Sequence, residues 1–333
     1  MPSGTPLPRP LRGIIPPLVT PLSDRDTLDA AGLQRLVEHV LAGGVQGLFI
    51  LGTSGEGPSL GYRLRCQLID RVCEQVAGRV PVLVGVSDTA LVESVNLADH
   101  AADAGAEAVV LAPPYYYPAG QDELLQYVEH ISAELPLPLF LYNLPSHTKI
   151  SFELETLRRL IEIPNVVGLK DSSGDMLYFH EVRRLAEQRA DWSLLIGPEE
   201  LLAEAVLLGA HGGVSGGANL CPRLYVELYQ AASRSDLARV RELHTRVMQI
   251  HQTIYRVAGH GAAGAPPQGA PPQGAPPQVV AGLKSALRCL GICDDFLAEP
   301  FHRLRDAERR LIQNHLAELD LVGLWGPPAS RLV

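Results

Sequence analysis

Lysine is almost missing from this chain. Of its 28 basic residues only Lys149, Lys170 and Lys284 are lysines, and arginine supplies the rest of the positive charge. Positive charge is itself in deficit, since 37 acidic residues leave a formal net charge of −9. The acidic residues are dispersed, which argues against nucleic acid or an anionic membrane as the main partner. Cysteine is scarce too. Cys66, Cys73, Cys221, Cys289 and Cys293 are odd in number, scattered, and mostly set in apolar helical patterns. That points to reduced thiols in a cytoplasmic protein rather than to a disulfide framework. Cys289 and Cys293 stand one helical turn apart without a histidine or a second cysteine pair, so no zinc site is expected. No apolar run approaches the roughly 18 residues of a membrane span, and the proline-rich lead Met1 to Leu11 lacks the apolar region of a signal peptide. No Gly-x-Gly-x-x-Gly follows the first apolar strand, which disfavours a dinucleotide-binding fold.

What is present is alternation. Short apolar runs at Gly13 to Val19, Val45 to Leu51, Val80 to Val86, Ala108 to Ala112, Leu139 to Tyr142, Val166 to Leu169, Ser193 to Ile196 and Gly213 to Ser215 read as strands. Between them, stretches such as Tyr62 to Val76 and Leu124 to Ala133 repeat apolar residues at helical spacing. Buried strands alternating with helices predict a parallel sheet covered by helices. Eight units before residue 235 fit a (β/α)8 TIM barrel with a C-terminal helical extension. The expected divisions are a lead over 1–12, the barrel over 13–234 and the extension over 235–333. Helices are expected at Leu237 to Ile254, Val280 to Leu290 and Phe301 to Leu319, and a low-complexity insertion at 256–279 carries three Gly-Ala-Pro-Pro-Gln repeats. Such a repeat cannot build a core and predicts an extended, mobile segment.

Lys170 closes the buried run Val166 to Leu169 and opens a turn, Asp171-Ser172-Ser173-Gly174-Asp175. Burial at a strand end disfavours the charged ammonium and favours the neutral amine, and a neutral amine attacks ketones to form a Schiff base. A lysine merely paired with Asp171 or Asp175 is the alternative. In a barrel, chemistry gathers at the C-terminal strand ends. Here those ends carry Thr20, Thr53-Ser54, Ser87, Tyr115-Tyr116, Tyr142-Asn143, Lys170, Gly197 and Ser215. Hydroxyls and phenols around one amine offer proton relay and carboxylate binding, whereas a catalytic metal would ask for histidines and carboxylates. No metal and no cofactor is expected.

These segments together resemble the dihydrodipicolinate synthase / N-acetylneuraminate lyase family of Schiff-base class I aldolases. Gly52-Thr53-Ser54-Gly55-Glu56 is similar to the family's Gly-Thr-Thr-Gly-Glu, with serine for the second threonine, Ala112-Pro113-Pro114-Tyr115-Tyr116 to its Thr-Pro-Tyr-Tyr, and Tyr142-Asn143-Leu144-Pro145-Ser146 to its strand-five motif. Val167-Gly168-Leu169-Lys170-Asp171, the Gly209 to Asn219 segment and Leu283 to Gly291 resemble its lysine, strand-eight and C-terminal helix signatures. The resemblance implies an imine between Lys170 and a pyruvate-like 2-oxo acid, with Tyr142 as proton relay. It implies that Thr53 and Ser54 bind the carboxylate and connect Tyr142 to Tyr116, which in the family enters the neighbouring subunit's site of a homotetramer. Val214 would offer a backbone carbonyl near the imine, with Ser215 beside it, and Lys284 would be structural. One departure bears on the substrate. Where dihydrodipicolinate synthases have Pro-Ser-Arg-Thr-Gly, this chain reads Pro145-Ser146-His147-Thr148-Lys149, so the arginine clamp for the second substrate's carboxylate is replaced by His147. The expected activity is cleavage, condensation or dehydration of a 4-hydroxy-2-oxo acid or 2-oxo-3-deoxy sugar acid. Dihydrodipicolinate synthesis from pyruvate and aspartate semialdehyde is the alternative.

Overall fold

The computed structural model describes residues 7–117, 119–257 and 276–319. Its frame is eight parallel strands: β1 (Gly13–Ile14), β2 (Leu48–Ile50), β3 (Val82–Gly85), β4 (Ala108–Leu111), β5 (Leu139–Asn143), β6 (Val166–Asp171), β7 (Ser193–Ile196) and β8 (Gly212–Gly213). Neighbours in sequence pair in parallel from β2 to β8, and β8 pairs with β1. The ring closes where the chain runs on past β1 beside β2. Leu18 N–H donates to the Phe49 carbonyl at 2.8 Å and Phe49 N–H to the Pro16 carbonyl at 2.9 Å. β1 is shorter than its apolar run suggests because Pro16 and Pro17 bring no N–H to a ladder. This is a (β/α)8 barrel with a helical C-terminal extension.

Side-chain alternation splits the apolar residues into two cores. Inside the barrel lie Phe49, Leu83, Val110, Phe140, Tyr142, Val167, Leu195 and Val214. Outside, Ile50, Val84, Leu111, Leu141, Leu169 and Ile196 pack into the larger cluster shared with the helices. Those helices are α1 (Ala30–Ala42), α2 (Tyr62–Val76), α3 (Leu91–Ala104), α4 (Gln121–Glu134), α5 (Leu154–Leu160), α6 (Met176–Ala186), α7 (Leu202–Leu207) and α8 (Pro222–Ser233). Asp29 and Asp175 cap α1 and α6 by accepting N–H groups of the first turn. Among the described residues, no helix is long and apolar enough to cross a membrane.

The extension consists of α9 (Leu237–Thr253), α10 (Pro276–Cys289) and α11 (Asp306–Glu318). α10 begins inside the third Gly-Ala-Pro-Pro-Gln unit, earlier than its apolar pattern indicates, since prolines suit a helix's first turn. The rest of the repeat lies outside the described residues. α11 starts at Asp306 rather than near Phe301 because Glu308 accepts the Arg305 N–H at 2.9 Å and fixes the helix entry there. A small hairpin, Leu22–Asp24 with Thr27–Leu28, precedes α1 and has no counterpart in the sequence reading.

One buried ion pair ties the extension to the barrel. Lys284 of α10 is 0% exposed and pairs with Glu56 of the loop after β2. Glu56 also accepts the Ala298 N–H at 2.7 Å, and Lys284 donates to the Phe296 carbonyl at 2.7 Å. Removing one partner strands a buried charge. Lys284→Met is therefore expected to cost about 3–5 kcal/mol, and Glu56→Gln combined with Lys284→Met to recover most of it. Urea unfolding of the three variants measures this, and a Lys284→Met midpoint equal to wild type would show that the pair carries no stability.

Candidate active site

Register brings the amine and the phenol together. Tyr142 on β5 pairs directly with Lys170 on β6, so both side chains enter the barrel, while the next pair, Asn143 and Asp171, faces outward. A bulge sets that phase. Leu139 stands opposite Val166 but Phe140 stands opposite Gly168, leaving Val167 as the extra residue on β6. Gly168 is required there, since a Cβ would come within 2.7 Å of the Phe140 ring. Outside the barrel, Asp171 is fully buried and accepts from Asn143 Nδ2 and from the Ser173 N–H and hydroxyl, each at 3.0 Å. Those bonds pin the strand end that carries Lys170.

Lys170 is 5% exposed, and its Nζ stands 3.9 Å from the centroid of the Tyr142 ring and 5.0 Å from that of Phe49. A cation over two ring faces is held by their quadrupoles. Thr53 Oγ1 lies 3.3 Å from the Tyr142 hydroxyl. Burial pushes the Tyr142 phenol toward higher pKa. The Lys170 charge and hydrogen bonds with Thr53, Lys170 and Ser172 outweigh it and bring the phenol below its ordinary value. A phenol poised in this way exchanges protons more readily than one in water.

The loop after β8 closes the far side. Val214 packs into the inner core and Ser215 is fully buried, with a hydroxyl that has no hydrogen-bond partner among the described residues. Beneath that loop the buried Glu199 accepts the Gly217 N–H at 2.7 Å and the hydroxyls of Tyr225 and Tyr255 at 2.6 and 2.7 Å. Gly217 permits the approach, because a Cβ there would collide with the Tyr225 hydroxyl. Ser54, half-buried, faces the same loop near Gly216.

A cavity of about 400 Å³ is lined by Thr53, Tyr142 and Ser87 and, where the chain is exposed, by Ser146, His147 and Lys149; Lys170 lies beside the lining Tyr142 ring. Burial and the neighbouring Lys149 charge both lower the pKa of His147, so its imidazole is neutral at pH 7. The Ser146 hydroxyl lies 2.9 Å from His147 Nδ1. Of the residues singled out by sequence, the structure gathers Lys170, Tyr142 and Thr53, with Ser54, Val214 and Ser215 alongside and His147 at the rim. It leaves Tyr116 out: that ring is 73% exposed and stacks edge-on against the 77% exposed Tyr117. Sequence reasoning missed the wall supplied by Val280, Leu297 and Phe301 of the extension. Its one available signal was Lys284, a single charge within the apolar run Val279 to Leu287.

A closed (β/α)8 barrel holding a buried lysine against a tyrosine defines a lyase of the class I aldolase type. The chain belongs to the Dihydrodipicolinate synthetase family, matching its sequence profile over residues 10–259. It is 37% identical over 245 residues to the 4-hydroxy-tetrahydrodipicolinate synthase of Thiobacillus denitrificans, covering 73% of this chain and 82% of that protein. An uncharacterised DapA-like lyase of Halobacterium salinarum is 32% identical over 320 residues, 96% of this chain and 97% of its own length. Among solved structures, the dihydrodipicolinate synthase of Bacteroides thetaiotaomicron superposes with a TM-score of 0.86 at 53% identity, over 93% of this chain and 99% of that one.

The Tyr142 phenol is directly measurable. Ultraviolet titration of wild type minus Tyr142→Phe isolates it from the other nine of the ten tyrosines. The midpoint is expected below 10 and should rise in both Thr53→Val and Lys170→Met, since each removes an influence that stabilises the phenolate. A midpoint at or above 10 in wild type contradicts the electrostatics described.

Proposed function

We propose that the protein forms a Schiff base between Lys170 and a pyruvate-type 2-oxo acid, and uses it to cleave or make the C3–C4 bond of a 4-hydroxy-2-oxo acid, a class that includes 2-oxo-3-deoxy sugar acids. The observation that carries this reading is the in-register pair of Lys170 and Tyr142 inside the barrel, with Thr53 on the phenol. The amine of Lys170 adds to C2, Tyr142 relays the protons of carbinolamine formation, and loss of water leaves the iminium. The iminium takes up the electron pair of the breaking C3–C4 bond while the 4-hydroxyl loses its proton and leaves as an aldehyde. Protonation of the enamine at C3 and hydrolysis then return the amine and release pyruvate. Thr53, Ser54 and the N–H groups of their loop suit the 2-oxo acid's carboxylate.

A second reading is dihydrodipicolinate synthesis from pyruvate and aspartate semialdehyde, favoured by the names of the relatives above and weakened by a neutral His147 where an arginine would hold the second carboxylate. Assembly as a homotetramer of tight dimers fits the exposed Tyr116–Tyr117 pair, which a second copy would cover and draw toward its site. A cytoplasmic location fits the five unpaired cysteines.

Borohydride reduction in the presence of pyruvate, followed by peptide mass spectrometry, tests the chemistry. A reduced pyruvyl adduct on Lys170 is expected, absent in Lys170→Arg and formed at least ~100-fold more slowly in Tyr142→Phe. An unmodified Lys170 in folded protein, with pyruvate and with longer 2-oxo acids, would sink the reading.

A further inference from the structure

The short helical turn Pro145–Thr148 after β5 ends on Lys149, which adopts φ +62°. That left-handed conformation favours glycine and costs a lysine on the order of 1 kcal/mol. Uncommon backbone of this kind clusters at functional sites, and here it stands at the edge of the cavity. Lys149 is one of the chain's three lysines and lines the cavity beside Ser146, His147 and Thr148. Its ammonium donates to the Ser146 carbonyl at 2.7 Å, and among the described residues it has no ion-pair partner. Two of its three N–H donors remain for a ligand.

The charges around the cavity sharpen the point. Lys149 lines it, Lys170 lies against the lining Tyr142 without lining the cavity itself, and the one lining carboxylate among the described residues, Glu56, is paired with Lys284. His147 is neutral. When Ser146 donates to Nδ1, the imidazole's Nε2 carries a proton and becomes a second donor next to the ammonium. The cavity therefore has one positive charge on its lining, at Lys149, and another beside the lining Tyr142 ring, with Val280, Leu297 and Phe301 supplying an apolar wall. A single ammonium with two free donors suits a carboxylate. A phosphate would call for the several converging donors of a backbone nest.

We propose that Lys149 is the specificity-determining residue of this site, binding a second carboxylate at the far end of a dicarboxylic 2-oxo acid substrate. This rests on the Schiff-base reading above and narrows it to substrates that are acidic at both ends.

Borohydride trapping over a range of concentrations gives the half-saturation of imine formation without any need for turnover. Matched acids are compared: 2-oxoadipate against 2-oxohexanoate, which differ in the terminal carboxylate alone. Wild type is expected to trap the dicarboxylate at about tenfold lower concentration or less. Lys149→Gly, which suits the left-handed backbone and keeps the fold, should bring the ratio to about one, and Lys149→Arg should retain the preference. A wild-type ratio of one, or a preference that survives in Lys149→Gly, overturns the proposal. Pyruvate, which has no far end, separates the failures: trapping of pyruvate without carboxylate preference refutes the role of Lys149 alone, whereas no adduct with any acid refutes the Schiff-base reading and this inference with it.

Discussion

The alignment of Tyr142 with Lys170 across β5 and β6 is the constraint on which the site depends. Both residues must face the barrel axis, and in parallel strands that is a matter of register: a slip of one residue would turn Lys170 into the helical layer. The register is held from both sides of the sheet. Inside, the Val167 bulge and the small Gly168 leave room for the Phe140 ring in the barrel core. Outside, Asp171 and Asn143 bond to each other and to the turn that follows, so the strand ends cannot shift independently. The charge of Lys170 in turn sets the acidity of Tyr142, which makes the pair one electrostatic unit.

The loops around that unit are held by buried charges on their far sides. Glu56 fixes the loop bearing Thr53 and Ser54 to the C-terminal extension, and Glu199 fixes the loop bearing Val214 and Ser215 to α8 and the end of α9. Neither carboxylate need touch substrate. Each supplies acceptors for donors that would otherwise be buried unsatisfied, and so keeps a hydroxyl-rich loop in one conformation. The extension is thus more than an appendage, since Val280, Leu297 and Phe301 also form the apolar wall of the cavity.

Much of this was legible from the chain itself. Eight apolar runs at regular spacing can bury themselves only as a covered parallel sheet, and strand ends rich in hydroxyls around one lysine mark Lys170, Tyr142 and Thr53. Other features depend on contacts that no local pattern encodes. The Ala298 N–H meets Glu56 across 242 residues of sequence, and the Val167 bulge hides in a run of apolar residues that reads the same with or without it. Tyr116 belongs to a strand-end motif, yet its ring is exposed to solvent in the single chain. Lys149 looks in sequence like an ordinary surface lysine, and its left-handed backbone is what singles it out.

A crystal structure of the protein soaked with pyruvate would test the central claim most directly. Continuous density from Lys170 Nζ to the pyruvate C2, with the carboxylate on the Thr53–Ser54 loop and the Tyr142 hydroxyl beside the imine, is the expected result. Pyruvate seated away from an unmodified Lys170 would contradict the assignment of this lysine as the nucleophile.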